Sequence, residues 1–239
     1  MKMNSGKLRT AVLWSIIWVA AGHTLHGVGA TDDAAPLVNF ISRFQVFRMF
    51  SFDFSQENTN ATTDQTIRAS GEVTFAPPAR FRWDYASRPQ NILASDGVWL
   101  MMVLPGDRQV MLESAVGNPA IWSPISLLSD PASIEQEFEV KADAAAPEGR
   151  YRFNLKPRTE DKPFSGIEFE FAKSFDRIEF SMTITDLAGN RNHLEFTHFR
   201  SLDKETDFLP PIPRNSDLTD FSGRTLDRKD PRYSQLRKE

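Results

Sequence analysis

The chain contains no cysteine and only four histidines among its 239 residues. It therefore has no disulfides, no thiolate metal ligands and no cysteine nucleophile. His193 and His198 lie five positions apart on one predicted strand, which predicts that they lie on opposite faces. A glycine-rich phosphate loop, a Gly-x-Ser-x-Gly motif and a His-Glu-x-x-His motif are also missing. We expect a protein that is not an enzyme and that holds no metal or cofactor.

Long hydrophobic runs are scarce as well. The N-terminal stretch AVLWSIIWVAAG covers residues 11–22 only, and as a helix it would rise about 18 Å, less than a hydrocarbon core of roughly 30 Å. Lys2, Lys7 and Arg9 precede it, and VGA (28–30) supplies the small residues of a cleavage site. These features predict a signal peptide over residues 1–30 and disfavour the alternative, an uncleaved membrane anchor. Because no cysteine follows, the mature chain is predicted to be soluble and not itself a lipoprotein.

The chain has fewer basic residues than acidic ones, 28 against 32. The formal net charge is −4, and removal of residues 1–30, with their three basic side chains and no acidic ones, changes it to −7. An acidic chain is a poor match for polyanions and anionic membrane surfaces. We therefore expect no nucleic-acid partner and no electrostatic docking on lipid.

Phenylalanine is abundant, with 19 residues, and many of them alternate with polar residues. In PPARFRWDY (77–85), charged and aromatic side chains alternate one for one, which predicts a strand with one apolar face. Ten or eleven such segments, including NILAS (91–95) and IEQEFEVKA (134–142), are separated by turn sequences. This pattern predicts a mainly β protein whose antiparallel sheet has one solvated face.

Two segments break the alternation. PLVNFISRFQVF (36–47) has apolar residues at helical spacing, and PAIWSPISLLSDPAS (119–133) is a short apolar helical piece between prolines. Beyond residue 213 the chain is polar and charged with little apolar periodicity, which predicts a disordered tail. The expected organisation is a signal peptide (1–30), one folded domain (31–213) and a disordered tail (214–239).

The order of several short motifs resembles the periplasmic outer-membrane lipoprotein carrier family, LolA. The resemblance covers about residues 37–213, and each motif is weak alone while their fixed order is specific. The matching residues are Phe54 and Gln56 of Phe-x-Gln; the sheet glycine Gly71; Pro78, Phe81 and Trp83 of Pro-x-x-Phe-x-Trp; Pro89, Leu93, Ser95, Asp96 and Gly97; Gln109 and Val110; Pro124, Leu127 and Leu128; Asp186, Gly189 and Asn190; and Phe208, Pro210 and Pro211.

This resemblance implies an unclosed antiparallel β-barrel of about eleven strands, with short helices covering an apolar cavity. It also implies a monomeric periplasmic carrier in a Gram-negative bacterium that takes up acylated lipoproteins. The implied partners are an inner-membrane ABC transporter that releases lipoproteins and an outer-membrane receptor that accepts them.

The resemblance and the alternation together suggest candidate lipid-binding residues. We expect the cavity lid to contain Ile125, Leu127 and Leu128, and the cavity wall to contain Phe54, Phe81, Trp83, Leu93, Met101, Phe169, Phe180 and Met182. For each of these residues, ordinary core packing is the competing interpretation.

The chain departs from the family pattern in two places. The family's aromatic cluster after Ser95-Asp96-Gly97 is changed, since Met101, Met102 and Val103 follow Trp99. The other departure is at Pro77. The family usually has a basic residue before the proline of Pro-x-x-Phe-x-Trp, where it helps to tie the sheet to the lid, and this chain has Pro77. Arg80 and Arg82 are nearby, but the alternation directs them away from Phe81.

Two further classes of function stay open at this point. The same half-barrel could serve as a regulatory module that senses lipid or lipoprotein, with the charged tail binding a partner protein. A periplasmic enzyme would need a convergent polar cluster, which the sequence does not display.

Overall fold

The computed structural model describes residues 32–116, 123–160, 162–174, 176–204 and 207–237. The predicted signal peptide (1–30) lies outside these residues. In the part of the chain that the structure describes, no helix is both long enough and apolar enough to cross a membrane.

In the described residues, twelve strands form a single sheet in the order β12-β6-β5-β4-β3-β2-β1-β11-β10-β9-β8-β7. Neighbouring strands pair antiparallel except β12 and β6, which are parallel. The two end strands of the order, β12 and β7, leave the sheet open, which confirms the predicted half-open barrel. The strands are β1 (Phe50–Thr59), β2 (Thr66–Ala76), β3 (Arg80–Tyr85), β4 (Ile92–Asp96), β5 (Trp99–Leu104), β6 (Gln109–Ser114), β7 (Phe138–Ala142), β8 (Arg150–Pro157), β9 (Phe164–Ala172), β10 (Phe180–Asp186), β11 (Arg191–Ser201) and β12 (Asp217–Thr219).

The alternation seen in the sequence sets the two faces of this sheet. On β3, the aromatic side chains of Phe81, Trp83 and Tyr85 are buried, whereas Arg80 and Asp84 are partly exposed. We call the face that carries these aromatic residues the inner face and the opposite one the outer face. The same period of two places phenylalanines of β1, β9, β10 and β11 on the inner face, where they form the main apolar cluster.

Two short α-helices and a 3₁₀ helix cover the inner face. Helix α1 (Ala35–Ser42) has a proline in its first turn, continues into a 3₁₀ turn over Arg43–Val46, and buries Leu37, Phe40 and Ile41 against the sheet. The second apolar piece forms a 3₁₀ helix at Pro124–Leu128 and helix α2 at Pro131–Glu137. Both helical predictions are therefore confirmed where the structure describes them.

Helix α2 shortens one predicted strand. The segment 134–142 was expected to be extended throughout, but its first four residues are helical and β7 begins at Phe138. The Asp130 side chain accepts a hydrogen bond from the backbone N–H of Ala132, and Pro131 occupies the first helical position. These two start signals override the alternation of the residues that follow.

The C-terminal segment (207–237) is folded against the sheet, which differs from the disordered tail expected for residues 214–239. Strand β12 adds to β6 with Leu218 opposite Val110. Tyr233 and Leu236 are buried, and the ring of Tyr233 lies 5.4 Å from that of Trp99. The segment contains few apolar residues, but the outer face of β5 and β6 is itself apolar, so a few contacts bury enough surface to order it.

The two histidines of β11 lie on the same face, contrary to the prediction. The pairing of β11 with β1 shifts register between Ser51 and Asp53, and His198 has a φ of 52°. This bulge turns Phe199 inward and leaves His198 outside, 3.1 Å from Asp53. His193 also faces outward, where its Nδ1 lies 2.8 Å from the Thr183 hydroxyl.

Candidate functional site

The inner face brings most of the predicted wall residues together. Each of the following is at most 3% exposed and belongs to the main cluster: Phe54, Phe81, Trp83, Leu93, Phe169, Phe180 and Met182. Their proximity is compatible with a lipid-binding wall and equally with a packed core, so lipid binding stays a prediction.

Met101 is misplaced in that prediction. Along β5, Leu100, Met102 and Leu104 belong to the main cluster, whereas Met101 and Val103 belong to a second cluster formed with the C-terminal segment. Met101 is therefore on the outer face, and Met102 takes the inward position next to Leu93. Every side chain of β5 from Leu100 onward is apolar, so the sequence contains no polar residue that would fix the phase of the alternation.

Phenylalanine rings stack across three neighbouring strands on the inner face. The rings of Phe169 and Phe180 are 5.2 Å apart and nearly parallel, and those of Phe180 and Phe196 are 4.5 Å apart. Phe40 of α1 stacks on Phe171 at 4.3 Å, so the first helix is held by the same group of rings. Flat aromatic rings in these offset arrangements favour each other beyond the surface that they bury.

The predicted lid residues pack into the main apolar cluster of the inner face. Ile125, Leu127 and Leu128 are buried within the main cluster. We call residues 123–128, which contain the 3₁₀ helix and the preceding Ser123, the lid segment. Its apolar side chains point into the same interior as Trp83 and the phenylalanines.

Two neutral side chains join the lid segment to the rest of the fold. The indole N–H of Trp83 donates a hydrogen bond to the hydroxyl of Ser123 at 3.2 Å, and both residues are fully buried. The side-chain amide of Gln45 donates to the backbone carbonyl of Leu128 at 3.1 Å. Uncharged hydrogen bonds of this kind contribute about 1 kcal/mol each.

Among the contacts that the structure describes, neither nearby arginine takes the place of the basic residue that the family pattern has at Pro77. Arg82 pairs with Asp84 at 2.7 Å on the outer face and also lies 3.4 Å from the Phe208 carbonyl. The guanidinium of Arg80 lies over the Phe208 ring, at 5.5 Å. Both arginines point away from Phe81, as the alternation predicted, and contact Phe208 of the C-terminal segment. The sheet reaches the lid segment through Trp83.

A buried polar trio on the inner face escaped the sequence analysis. The Gln56 amide donates to the side-chain oxygen of Asn192 at 2.9 Å, and the Tyr85 hydroxyl donates to the Gln56 side-chain oxygen at 3.0 Å. Gln56 is 1% exposed, Asn192 is 2% exposed and Tyr85 is 5% exposed. Burial raises the pKa of the Tyr85 hydroxyl far above its usual value, so the group stays protonated.

The sequence contained one signal for this trio. Gln56 follows Phe50, Phe52 and Phe54 at the next inward position of β1, where an apolar residue would continue the pattern. Its partner Asn192 is 136 positions away in the chain, so only the fold shows that the two side chains meet.

Gly71 of β2 allows a close approach beside this trio. A side chain there would overlap the backbone oxygen of Asp84, since an added Cβ would lie 2.0 Å from it, and would crowd the ring of Phe54 at 2.9 Å. The Phe54 ring occupies the space that the missing side chain leaves. The sheet glycine of the motif is therefore a requirement of strand packing at this position.

Two of the surface cavities that described residues line lie beside the half-barrel. One of about 580 Å³ lies where the first helical segment meets β1 and is lined partly by Phe47, Arg48, Arg80 and Lys204. The other, of about 760 Å³, is lined by Asp53, Phe54, Ser70, Gly71, Glu72, Asp84, Tyr85, Ala86, Pro89, Gln90, Asn91, Ile92 and Pro105. The second cavity is lined by Asp53, Glu72 and Asp84, whose carboxylates pair with Arg82 and Arg200, and it shares Phe54 and Tyr85 with the inner face.

Comparison with known protein families matches residues 45–207 to the family described as outer membrane lipoprotein carrier protein LolA. The chain belongs to this family. The match covers β1 to β11 and includes the lid segment and all three residues of the polar trio.

Curated members of the LolA family are moderately similar to the chain. An outer-membrane lipoprotein carrier protein of Xanthomonas campestris pv. campestris is 29% identical over 148 residues, 62% of this chain and 69% of that relative. A protein of the same name from Pseudomonas syringae pv. tomato is 26% identical over 221 residues, 91% of this chain and 99% of that relative.

A solved structure of a LolA superfamily protein from Nitrosomonas europaea is 9% identical to the chain. It covers 73% of this chain and 96% of its own, with a TM-score of 0.40.

Proposed function

We propose that this LolA-family protein is a periplasmic carrier that binds the acyl chains of lipoproteins released from the inner membrane and delivers them to an outer-membrane receptor. The observation that carries the proposal is an inner face lined by phenylalanine, methionine and leucine side chains beneath a lid segment that neutral hydrogen bonds attach. The names of the curated relatives, outer-membrane lipoprotein carrier proteins, support the same function.

The physical need for such a carrier follows from the hydrophobic effect. Each methylene group that leaves water is worth roughly 0.8 kcal/mol, so a cargo with several long acyl chains would lose tens of kcal/mol in free solution. Acyl chains need space, and a close-packed interior offers none unless a cover moves. In this proposal the lid segment and helix α1 shift to admit the chains, and the displaced rings pack against them.

The proposal includes the partners and the location. The donor is an inner-membrane ABC transporter that releases lipoproteins, the acceptor is an outer-membrane lipoprotein receptor, and the carrier acts as a monomer in the periplasm. The role is binding and transfer without catalysis.

The alternative, a sensor that binds a partner through a free charged tail, gains no support from the fold. The described part of that tail covers the outer face of β5 and β6, where Leu218, Tyr233 and Leu236 are buried.

Native mass spectrometry of the protein purified from the periplasm tests the proposal. We expect acylated species to accompany the wild-type protein, and we expect Phe81→Glu to lower affinity for a triacylated lipopeptide by about tenfold or more, because it places an unpaired carboxylate in the interior. Val98→Glu is the matched control, since Val98 is 50% exposed and the same charge there stays in water.

A folding check accompanies this test, and Met182→Gln replaces Phe81→Glu if the latter does not fold. Wild-type protein that carries no acylated species and binds no triacylated lipopeptide would show that the inner face is an ordinary core. Unchanged lipopeptide binding by a folded interior variant would show that the binding surface lies elsewhere.

A further inference from the structure

The polar trio is unusual for its surroundings. Gln56, Tyr85 and Asn192 lie on the inner face of β1, β3 and β11, the same face as the phenylalanine rings. The ring of Tyr85 lies 5.2 Å from that of Phe54, which in turn lies 4.8 Å from Trp83. Hydrogen-bonding groups therefore continue directly from the predicted lipid wall.

Gln56 retains hydrogen-bonding capacity after its bonds within the trio are counted. A glutamine side chain has two N–H donors and one carbonyl acceptor. Within the part of the chain that the structure describes, Gln56 uses one N–H toward Asn192 and its oxygen toward Tyr85. Its second N–H is left for an acceptor, and a buried donor gains most when that acceptor is supplied.

The chemistry of the trio selects the kind of acceptor. All three side chains are neutral, and burial keeps the Tyr85 hydroxyl protonated by raising its pKa. A phosphate or carboxylate buried here would lack a countercharge, which is costly. An uncharged carbonyl group avoids this cost and accepts a hydrogen bond from a neutral donor.

We propose that Gln56, supported by Tyr85 and Asn192, donates a hydrogen bond to a carbonyl group of the cargo, an ester or amide carbonyl that joins an acyl chain to its headgroup. This inference rests on the proposed carrier function and makes it more specific: the interior recognises acylated glycerol or acylated amine rather than hydrocarbon alone. The acyl chains then lie among the phenylalanine rings, and the carbonyl group that begins each chain lies beside the trio.

The test compares two synthetic diacyl lipopeptides with chains of equal length, one ester-linked and one ether-linked. The ether analogue has a methylene group in place of each ester carbonyl and is otherwise the same molecule. We expect the wild-type protein to bind the ester form roughly fivefold to tenfold more tightly, the contribution of about one hydrogen bond. We expect Gln56→Leu to lower this ratio to about one while affinity for the ether form is kept.

Two further variants isolate the effect. Gln109→Leu makes the same substitution on β6, where Gln109 bonds to Thr219 of the C-terminal segment, and it should keep the wild-type ratio. Tyr85→Phe removes the hydroxyl that orients Gln56 with little change of shape, and it should lower the ratio in part. Tyr85→Phe also replaces Gln56→Leu as the test variant if Gln56→Leu fails to fold.

The possible outcomes separate this inference from the proposed function. Equal binding of the two lipopeptides by wild-type protein, or an ester preference that persists in Gln56→Leu and in Tyr85→Phe, overturns the carbonyl contact and leaves the carrier intact. Failure of the wild-type protein to bind either lipopeptide overturns the carrier function and this inference with it.

Discussion

The C-terminal segment, which covers part of the outer face, and the lid segment, which covers part of the inner face, are attached to the sheet by different contacts. We call them the outer cover and the inner cover. On the outer face, the C-terminal segment adds strand β12 to β6 through backbone pairing and buries Leu218, Tyr233 and Leu236 against β5 and β6. On the inner face, the lid segment is joined through the side chains of Trp83 and Gln45 and through apolar contacts. Backbone pairing ties a segment to one register, whereas apolar side chains re-pack at modest cost. The outer cover is therefore suited to stay in place and the inner one to move.

The outward residues of the strands differ between the uncovered part of the outer face and the part under the C-terminal segment. Strands β8 and β9 place charged residues there, and Arg152 lies 2.7 Å from Glu170 and 3.4 Å from Asp143. Strand β5 places Met101 and Val103 there, under the C-terminal segment. A strand with charged outward residues can thus face solvent, whereas a strand with apolar outward residues needs another segment to pack against its outer face.

Leu218→Ala tests the outer cover and should have the largest effect. Leu218 is 2% exposed in the second cluster, so its truncation should lower the free energy of unfolding by about 2–5 kcal/mol in urea denaturation. Leu187→Ala is the control, because Leu187 is 71% exposed in a turn, and it should stay within about 0.5 kcal/mol of wild type. If the two variants are equally stable, the C-terminal segment is disordered, as its composition suggested.

The faces of the strands could be predicted from the sequence wherever polar residues alternate with apolar ones. Phe81, Trp83, Phe169 and Phe180 were placed correctly for this reason. Met101 was not, because β5 has no polar residue between Leu100 and Leu104 to distinguish its faces. The same observation, a strand that is apolar on both faces, would have indicated that something covers β5 from outside.

The remaining features depend on contacts between distant parts of the chain. The hydrogen bond from Trp83 to Ser123 joins residues 40 positions apart, and the bond from Gln45 to Leu128 joins residues 83 apart. The bulge at His198 arises from the pairing of β11 with β1, which reversed the predicted face of that histidine. Local periodicity contains no information about such pairings.

Ser123→Ala tests the inner cover and should have an intermediate effect. The substitution leaves the buried indole N–H of Trp83 without its acceptor, which should cost about 1–2 kcal/mol. Because the bond fixes the lid segment, hydrogen exchange of the Ser126 and Ser129 amides, which donate to Ser123 and Ser126 carbonyls, should speed up.

Ser42→Ala is the matched control for this variant. Its hydroxyl donates to the Val38 carbonyl on the exposed side of α1, so stability and lid exchange should stay close to wild type. Exchange at the lid that is as slow in Ser123→Ala as in Ser42→Ala would mean that apolar contacts alone hold the inner cover.

Asp53→Asn tests the uncovered outer face and should have the smallest effect. The guanidinium of Arg200 donates to Asp53 at 2.7 Å and lowers the pKa of that carboxyl, and His198 lowers it further. Arg200 also lies 3.4 Å from Glu72 on β2. Because Asp53 and Arg200 are each about half exposed, the stabilisation should be below about 1 kcal/mol.

The pH dependence of this effect has a defined sign. The folded pKa of Asp53 lies below its unfolded value of 3.8, so the folded state is stabilised fully above that pH and loses the stabilisation as the pH falls through the folded pKa. The difference in unfolding free energy between wild type and Asp53→Asn should therefore be constant near neutral pH and shrink in acid. A difference that grows on acidification would mean that the fold stabilises the protonated carboxyl of Asp53. That result would contradict the contacts of Asp53, because Arg200 and His198 both favour its ionised form.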